Sequence, residues 1–208
     1  MRTRLLAILA AAATLALSAS AVFAGSWETA NVVGQGLGGP TVAVDGAAIM
    51  RLPNGVKAQL SMPTPEAGTY VNPSGPTGSG VDGHPQVFSL WVFVFFNPEA
   101  CASDPCGPGD LINDPDVVAG AFNAGGHIVG GDNLSLSGFV NSSAFTFGGP
   151  KAETIQTALD MGYDLESADI HVAVAPHGAL APELLPDSIG TPNGMPGHWW
   201  IAIFPPLS

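Results

Sequence analysis

Positive charge is scarce in this chain of 208 residues, where five Lys and Arg stand against seventeen Asp and Glu, a formal charge of −12. Two of the five, Arg2 and Arg4, sit at the extreme N-terminus, so beyond residue 24 only Arg51, Lys57 and Lys151 remain: three minus seventeen, or −14. Phosphate-backbone binding needs clustered cations that displace counterions, and anionic membrane surfaces make the same demand. Three scattered cations meet neither, which excludes nucleic acid and anionic membranes as partners. Cysteine is scarcer still, with two residues, and two lone thiols cannot complete a metal site without imidazole or carboxylate help. The catalytic signatures with a fixed spacing are also missing: there is no nucleophile elbow, no paired-histidine zinc helix and no Walker lysine.

The longest apolar run lies at the start, in "MRTRLLAILAAAATLALSASAVFA", where Leu5 to Leu17 follow the two arginines with only Thr14 as a polar residue among them. Thirteen residues fall short of the roughly 20 that span a bilayer as a helix, and they fit the apolar core of a secretory leader. Val22-Phe23-Ala24 supplies a small-residue cleavage motif, with Ala19-Ser20-Ala21 as the second choice, and an uncleaved anchor as the competing reading. The expectation is a signal peptide over 1–24 and a single domain over 25–208, with no membrane insertion after cleavage. The protein is then secreted or periplasmic/extracellular. In that compartment Cys101 and Cys106 of "CASDPC" are expected to form a disulfide, worth about 2 kcal/mol for so short a loop.

Glycine and proline are abundant and punctuate short apolar segments, the pattern of an all-β chain. In "GVKAQLSM" (55–62) Val56, Ala58, Leu60 and Met62 alternate with polar residues, the mark of a half-buried strand. "QVFSLWVFVFF" (86–96) is apolar on both faces and reads as central and covered on both sides. Further strands are expected at 117–122, 126–131, 133–140, 169–175 and 198–204, with a weaker one at 41–49. One short helix is expected in "PKAETIQTALDMG" (150–162), with Pro150 opening it, Ile155, Ala158 and Leu159 as its apolar stripe and Gly162 closing it. Residues 63–85 form the longest connection. The fold class is therefore an all-β, single-domain antiparallel β-sandwich, immunoglobulin-like in outline, with one short helix.

Three motifs invite chemistry. "GQGLGG" (34–39) has dinucleotide-binding glycine spacing, but that motif needs a helix N-terminus at the phosphates, and "PTVAVDG" continues as extended chain. "GDLINDPD" (109–116) crowds Asp110, Asp114 and Asp116 into one loop, a possible calcium site by oxygen count or an Asx-rich turn. "ADIHVAVAPHG" (168–178) is the sharpest. Period-2 alternation sends Ile170, Val172 and Val174 to the core and Asp169, His171 and Ala173 to the opposite face, which is expected to meet water. His171 with His127, His177, His198 and Asp169 would supply donors for copper or zinc.

"LWVFVFFNPEAC…PCG", "HIVGG" and "ADIHVAVAPHGAL" followed by "TPNG" together resemble a family of exported prokaryotic proteins. That family shares a Trp-bearing strand, an Asn-Pro…Cys…Pro-Cys-Gly loop and a strand of the type "IHLVVRSHGPA"; the likeness runs from about Asn54 to Gly194. The chain is more distantly similar to the chordin-repeat domain, an extracellular β-barrel or sandwich with an Ala-His-Ile-His strand, of which Asp169-Ile170-His171 keeps part. The resemblance implies a secreted β fold and a role for His171 and His177. Ala175-Pro176 stands where the family pattern has Arg-Ser, so no anion-binding arginine is carried over.

Two classes of function follow. The first is an exported non-catalytic protein with an extracellular or surface binding or structural role, meeting a protein or glycan partner through loops or through whichever of Trp199 and Trp200 points outward, unless the helix covers it. The second is a copper or zinc carrier or metalloenzyme built on the strand histidines. Three imidazoles converging on one point would favour the second, and dispersed imidazoles the first.

Overall fold

A computed structural model describes residues 25–70, 84–146, 153–185, 187–190 and 196–207. The expected leader, Pro150 and the "TPNG" stretch lie outside the described residues, as does most of the 63–85 connection. The described strands are β1 (Glu28–Val33), β2 (Thr41–Leu52), β3 (Gly55–Pro63), β4 (Gln86–Phe95), β5 (Ala119–Val129), β6 (Asn133–Asn141), β7 (Asp169–Ala179) and β8 (Trp200–Phe204). All pairings are antiparallel and build one eight-stranded sheet in the order β5-β4-β7-β8-β1-β2-β3-β6. The all-β, antiparallel expectation holds. The strands share one sheet that curls until it is nearly barrel-shaped.

The curl brings its two end strands together. A Cβ on Gly138 of β6 would collide with the Ala124 carbonyl oxygen of β5, so the two end strands approach each other here more closely than any residue but glycine allows. The exposed margin of β5 is occupied further along. The Thr146 hydroxyl accepts from the Ala121 amide at 2.9 Å and donates to the Ala121 carbonyl at 3.2 Å, which satisfies both ladder groups of that residue.

Inside the curl lies the main core. Phe88, Leu90, Val92, Val94 and Phe96 project into it from β4 and the segment just after it, Ile170, Val172 and Val174 from β7, and Val56, Ala58, Leu60 and Met62 from β3. Each fully buried side chain of this size contributes about 1.5–3 kcal/mol, so alternation is enforced along every one of these strands. The two short segments expected at 117–122 and 126–131 are one continuous strand, β5, carried across Gly125 by a register shift opposite Leu90 and Trp91.

The expected helix is present but shorter: α2 (Ile155–Asp160), following α1 (Pro108–Asn113), begins at Thr154, whose hydroxyl accepts from the Thr157 amide at 3.0 Å. Ile155 and Ala158 are buried, Leu159 packs against the core, and Gly162 takes a φ of +95° at the end. Helix α1 lies in what the sequence suggested was only a turn. Its start is fixed by the Asp110 carboxylate, which reaches back to accept the Gly107 amide at 2.6 Å, one half of a capping box.

Candidate functional site

The alternation in β7 is as expected, but its consequence is not. Ile170, Val172 and Val174 face the core, whereas Asp169, His171, Ala173, Ala175 and His177 face outward without reaching water: Asp169 is 4 %, His171 5 % and His177 2 % exposed. The expectation of a hydrated imidazole face is therefore corrected. Strand pattern could not reveal the cause, which is a second apolar layer laid over β4, β7 and β8. Trp91, Ala173, Ala175, Trp199 and Ile201 form one part of it, with Leu37 from the β1–β2 turn packed against them. Phe95, Cys106, Leu111 and Val117 form the other, brought there by the cysteine loop and α1.

Two buried polar pairs are embedded in this layer. At one end the Trp91 indole donates to the Ser89 hydroxyl at 2.7 Å, and that hydroxyl lies 2.7 Å from His177 Nε2. Burial lowers the His177 pKa from 6.5 to about 4, because desolvation penalises the imidazolium. With the ring neutral, the Ser89 hydroxyl and Nε2 share one hydrogen bond whose direction follows the tautomer. The arrangement cross-links β4 to β7 inside a dry layer and offers no open nucleophile.

At the other end the His171 ring donates through Nε2 to Asp169 Oδ2 at 3.1 Å and packs on Phe95 with centroids 5.2 Å apart. The Cys106 amide donates to the same oxygen at 3.2 Å. Asp169 Oδ1 is buried and has no hydrogen-bond partner among the described residues. An open cleft of about 400 Å³ lies against this carboxylate, walled by the cysteine loop on one side and by Ile203, Pro205 and Pro206 on the other. A void of about 30 Å³, next to His171, Leu111 and Trp199, adjoins it. A buried carboxylate oxygen left without a donor costs several kcal/mol in an apolar setting, and Asp169 is among the residues that line this cleft.

The remaining expected ligands are dispersed. His127 is exposed on β5 opposite Phe88 of β4, His84 is exposed ahead of β4, and His198 lies in a short turn before β8 with its Nδ1 buried and unpartnered. Among the described residues no three His, Cys, Asp or Glu side chains are grouped to hold a metal ion.

The acidic loop is committed to its own backbone. Asp110 accepts from the Ala102 amide at 2.7 Å, the Ser103 hydroxyl at 2.5 Å and the Gly107 amide at 2.6 Å. Burial works to raise its pKa, but those hydrogen bonds outweigh it and hold the carboxyl below its ordinary value. Asp114 accepts the Asp116 amide at 2.9 Å in an Asx turn. Cys101 and Cys106 are bonded, with Cα atoms 5.5 Å apart. The "GQGLGG" loop is a tight connection between β1 and β2: a Cβ at Gly39 would collide with the Gly34 carbonyl at 1.5 Å. Neither tryptophan is outward. Trp199 packs on Phe93 at 5.7 Å, covered by the outer layer and not by α2, while Trp200 packs on Tyr70 and Phe88 inside the core.

One residue central to this region escapes a pattern reading. Arg51 continues the inward parity of Ala47 and Ile49 on β2, and its guanidinium closes one end of the curled sheet. It grips Glu28 through Nε and Nη2 at 2.9 and 3.1 Å, and donates to the carbonyls of Leu165, Ala168 and Pro205 at 2.6 to 2.7 Å. It thereby fixes both the entry to β7 and the Pro205 wall of the cleft. The available signal was an arginine at a core-facing position in a chain nearly devoid of cations.

No family model, curated protein or solved structure matches this chain. Function must then be argued from the cleft and its chemistry.

Proposed function

We propose that the chain is an exported, non-catalytic binding protein whose ligand enters the cleft beneath the Cys101–Cys106 loop. The observation that carries this reading is Asp169 Oδ1, a buried carboxylate oxygen with no partner, beside an open cleft. Dispersal of the imidazoles supports binding over transition-metal chemistry, since His171 is paired with Asp169 and His177 with Ser89. The disulfide is consistent with an oxidising compartment, in line with a leader over 1–24. Closure of the end strands at Gly138 favours a barrel-like body over two stacked immunoglobulin-like sheets.

Two measurements test the reading. Amide chemical shifts of the processed protein, followed against a panel of soluble peptides and oligosaccharides, should move saturably at residues of 101–106 and 169. Elemental analysis of protein purified without affinity metal, with His171→Ala alongside, should find no stoichiometric copper or zinc. A bound transition metal lost in the variant, or a panel that leaves the cleft amides unmoved, overturns it.

A further inference from the structure

We infer that the ligand of this cleft is an organic cation on an aliphatic stem, presented as a lysine side chain of a polypeptide partner; the inference rests on the binding role proposed above. Three carboxylates line the cleft, Glu99 and Asp104 exposed at its rim and Asp169 buried at its floor. Among the described residues no lysine or arginine lines it. Asp169 is held in place from behind, because His171 Nε2 and the Cys106 amide both donate to Oδ2, which leaves the buried Oδ1 as the acceptor without a donor among the described residues.

The walls are of a different character. Pro98, Pro105, Pro205 and Ile203 present apolar surface along the path from rim to floor. A bare metal ion gains nothing from such walls, and no three acids among the described residues are grouped to coordinate one. A neutral sugar would leave the floor carboxylate without a counter-charge. An alkyl ammonium matches both features, since its methylenes pack on the proline rings while its positive charge is balanced by the acids along the cleft, without any need for three of them to converge. The surplus of negative charge beyond residue 24 adds a long-range attraction for basic partners that falls with salt.

Wall and floor are rigid for identifiable reasons. Arg51 Nη2 holds the Pro205 carbonyl at 2.7 Å, and the Leu207 amide donates to the Glu166 carbonyl at 2.8 Å, so the C-terminal wall is pinned to the entry of β7. The opposite wall is stapled by the disulfide. A preorganised site of this kind loses less entropy on binding than a mobile one.

The test titrates the processed protein with Nα-acetyl-lysine N-methylamide, its uncharged norleucine counterpart, cadaverine and calcium chloride, reading the amide shifts of Cys106 and Asp169. The lysine probe should move them saturably and the norleucine probe should not. Cadaverine binding as tightly as the lysine probe would support the cation chemistry while assigning the source to free diamines. Asp169→Asn should weaken the lysine probe by about tenfold or more. Should that variant fail to fold, Glu99→Gln combined with Asp104→Asn, both at exposed positions, should weaken it by about two- to fivefold and flatten its salt dependence. Equal binding of lysine and norleucine probes, calcium moving the same amides at lower concentration than lysine, or rim variants of unchanged affinity would each overturn the inference. Saturable shifts from neutral oligosaccharides or peptides alone would sink the cation and leave the binding role standing. A cleft unmoved by every probe would sink both.

Discussion

The Cys106 amide donates to Asp169 Oδ2 at 3.2 Å across 63 residues of sequence. That single bond joins the cysteine loop to the first residue of β7, and it makes the geometry of the carboxylate depend on a loop that the disulfide holds in shape. The stability and the recognition chemistry of this region are thus coupled, and perturbations of either should be read together.

Replacing both cysteines with serine should cost about 2 kcal/mol, the loop-closure entropy of so short a ring. Urea denaturation of the oxidised protein and the double variant gives the comparison. The same variant should broaden the amide signal of Cys106's replacement and weaken any ligand of the Asp169 cleft, because the donor that fixes Oδ2 would no longer be held.

Arg51→Leu should destabilise by about 3–5 kcal/mol, since it strands the Glu28 carboxylate and the carbonyls of Leu165, Ala168 and Pro205 in a closed end of the sheet. Arg51→Lys should recover only part of this, because one ammonium cannot reproduce a planar fork that grips a carboxylate through two nitrogens. Thermal midpoints of the three proteins rank the outcomes. Equal midpoints for the wild type and the leucine variant would show that the guanidinium is not the anchor described above.

Acid should act through His177. The folded protein keeps this ring neutral down to about pH 4, while its ordinary value is 6.5, so between those limits the unfolded chain binds more protons and stability declines as pH falls. The contribution is complete above about pH 6.5 and lost below about pH 4, amounting to roughly 3 kcal/mol. Urea midpoints measured across that window should fall for the wild type and stay flatter for His177→Asn.

Gly138→Ala should cost about 1–3 kcal/mol, as the added methyl must push the β6 backbone away from Ala124. Ser137→Ala, at the exposed neighbouring position, should change stability little and serves as the control.

The sequence disclosed the fold more fully than the site, for a physical reason. Strand patterning depends on period-2 burial along local stretches, so the inward row of β3, the two-sided burial of β4 and the parity of β7 were all legible. What covers the outward row of β7 is set by residues far away in sequence: Leu37 and Trp199 are brought over it by turns and Leu111 by the short helix α1, none of which carries strand periodicity. His171 and His177 therefore read as water-facing when they are buried. The disulfide was legible because six residues limit where two thiols can go. Asp110 and Asp114 read as possible calcium donors because composition counts oxygens without showing that backbone amides already occupy them. Arg51 was visible only as a rare charge, since its partners on β1, at the entry to β7 and after β8 meet only in the folded chain.

The Thr146 hydroxyl, bonded to both the amide and the carbonyl of Ala121, gives the sheet a property of its own. A flat ribbon margin recruits further ribbons from other molecules and seeds fibres. Here an approaching strand meets a side chain that has already answered the backbone, so crowding should leave these molecules dispersed and not stacked end over end.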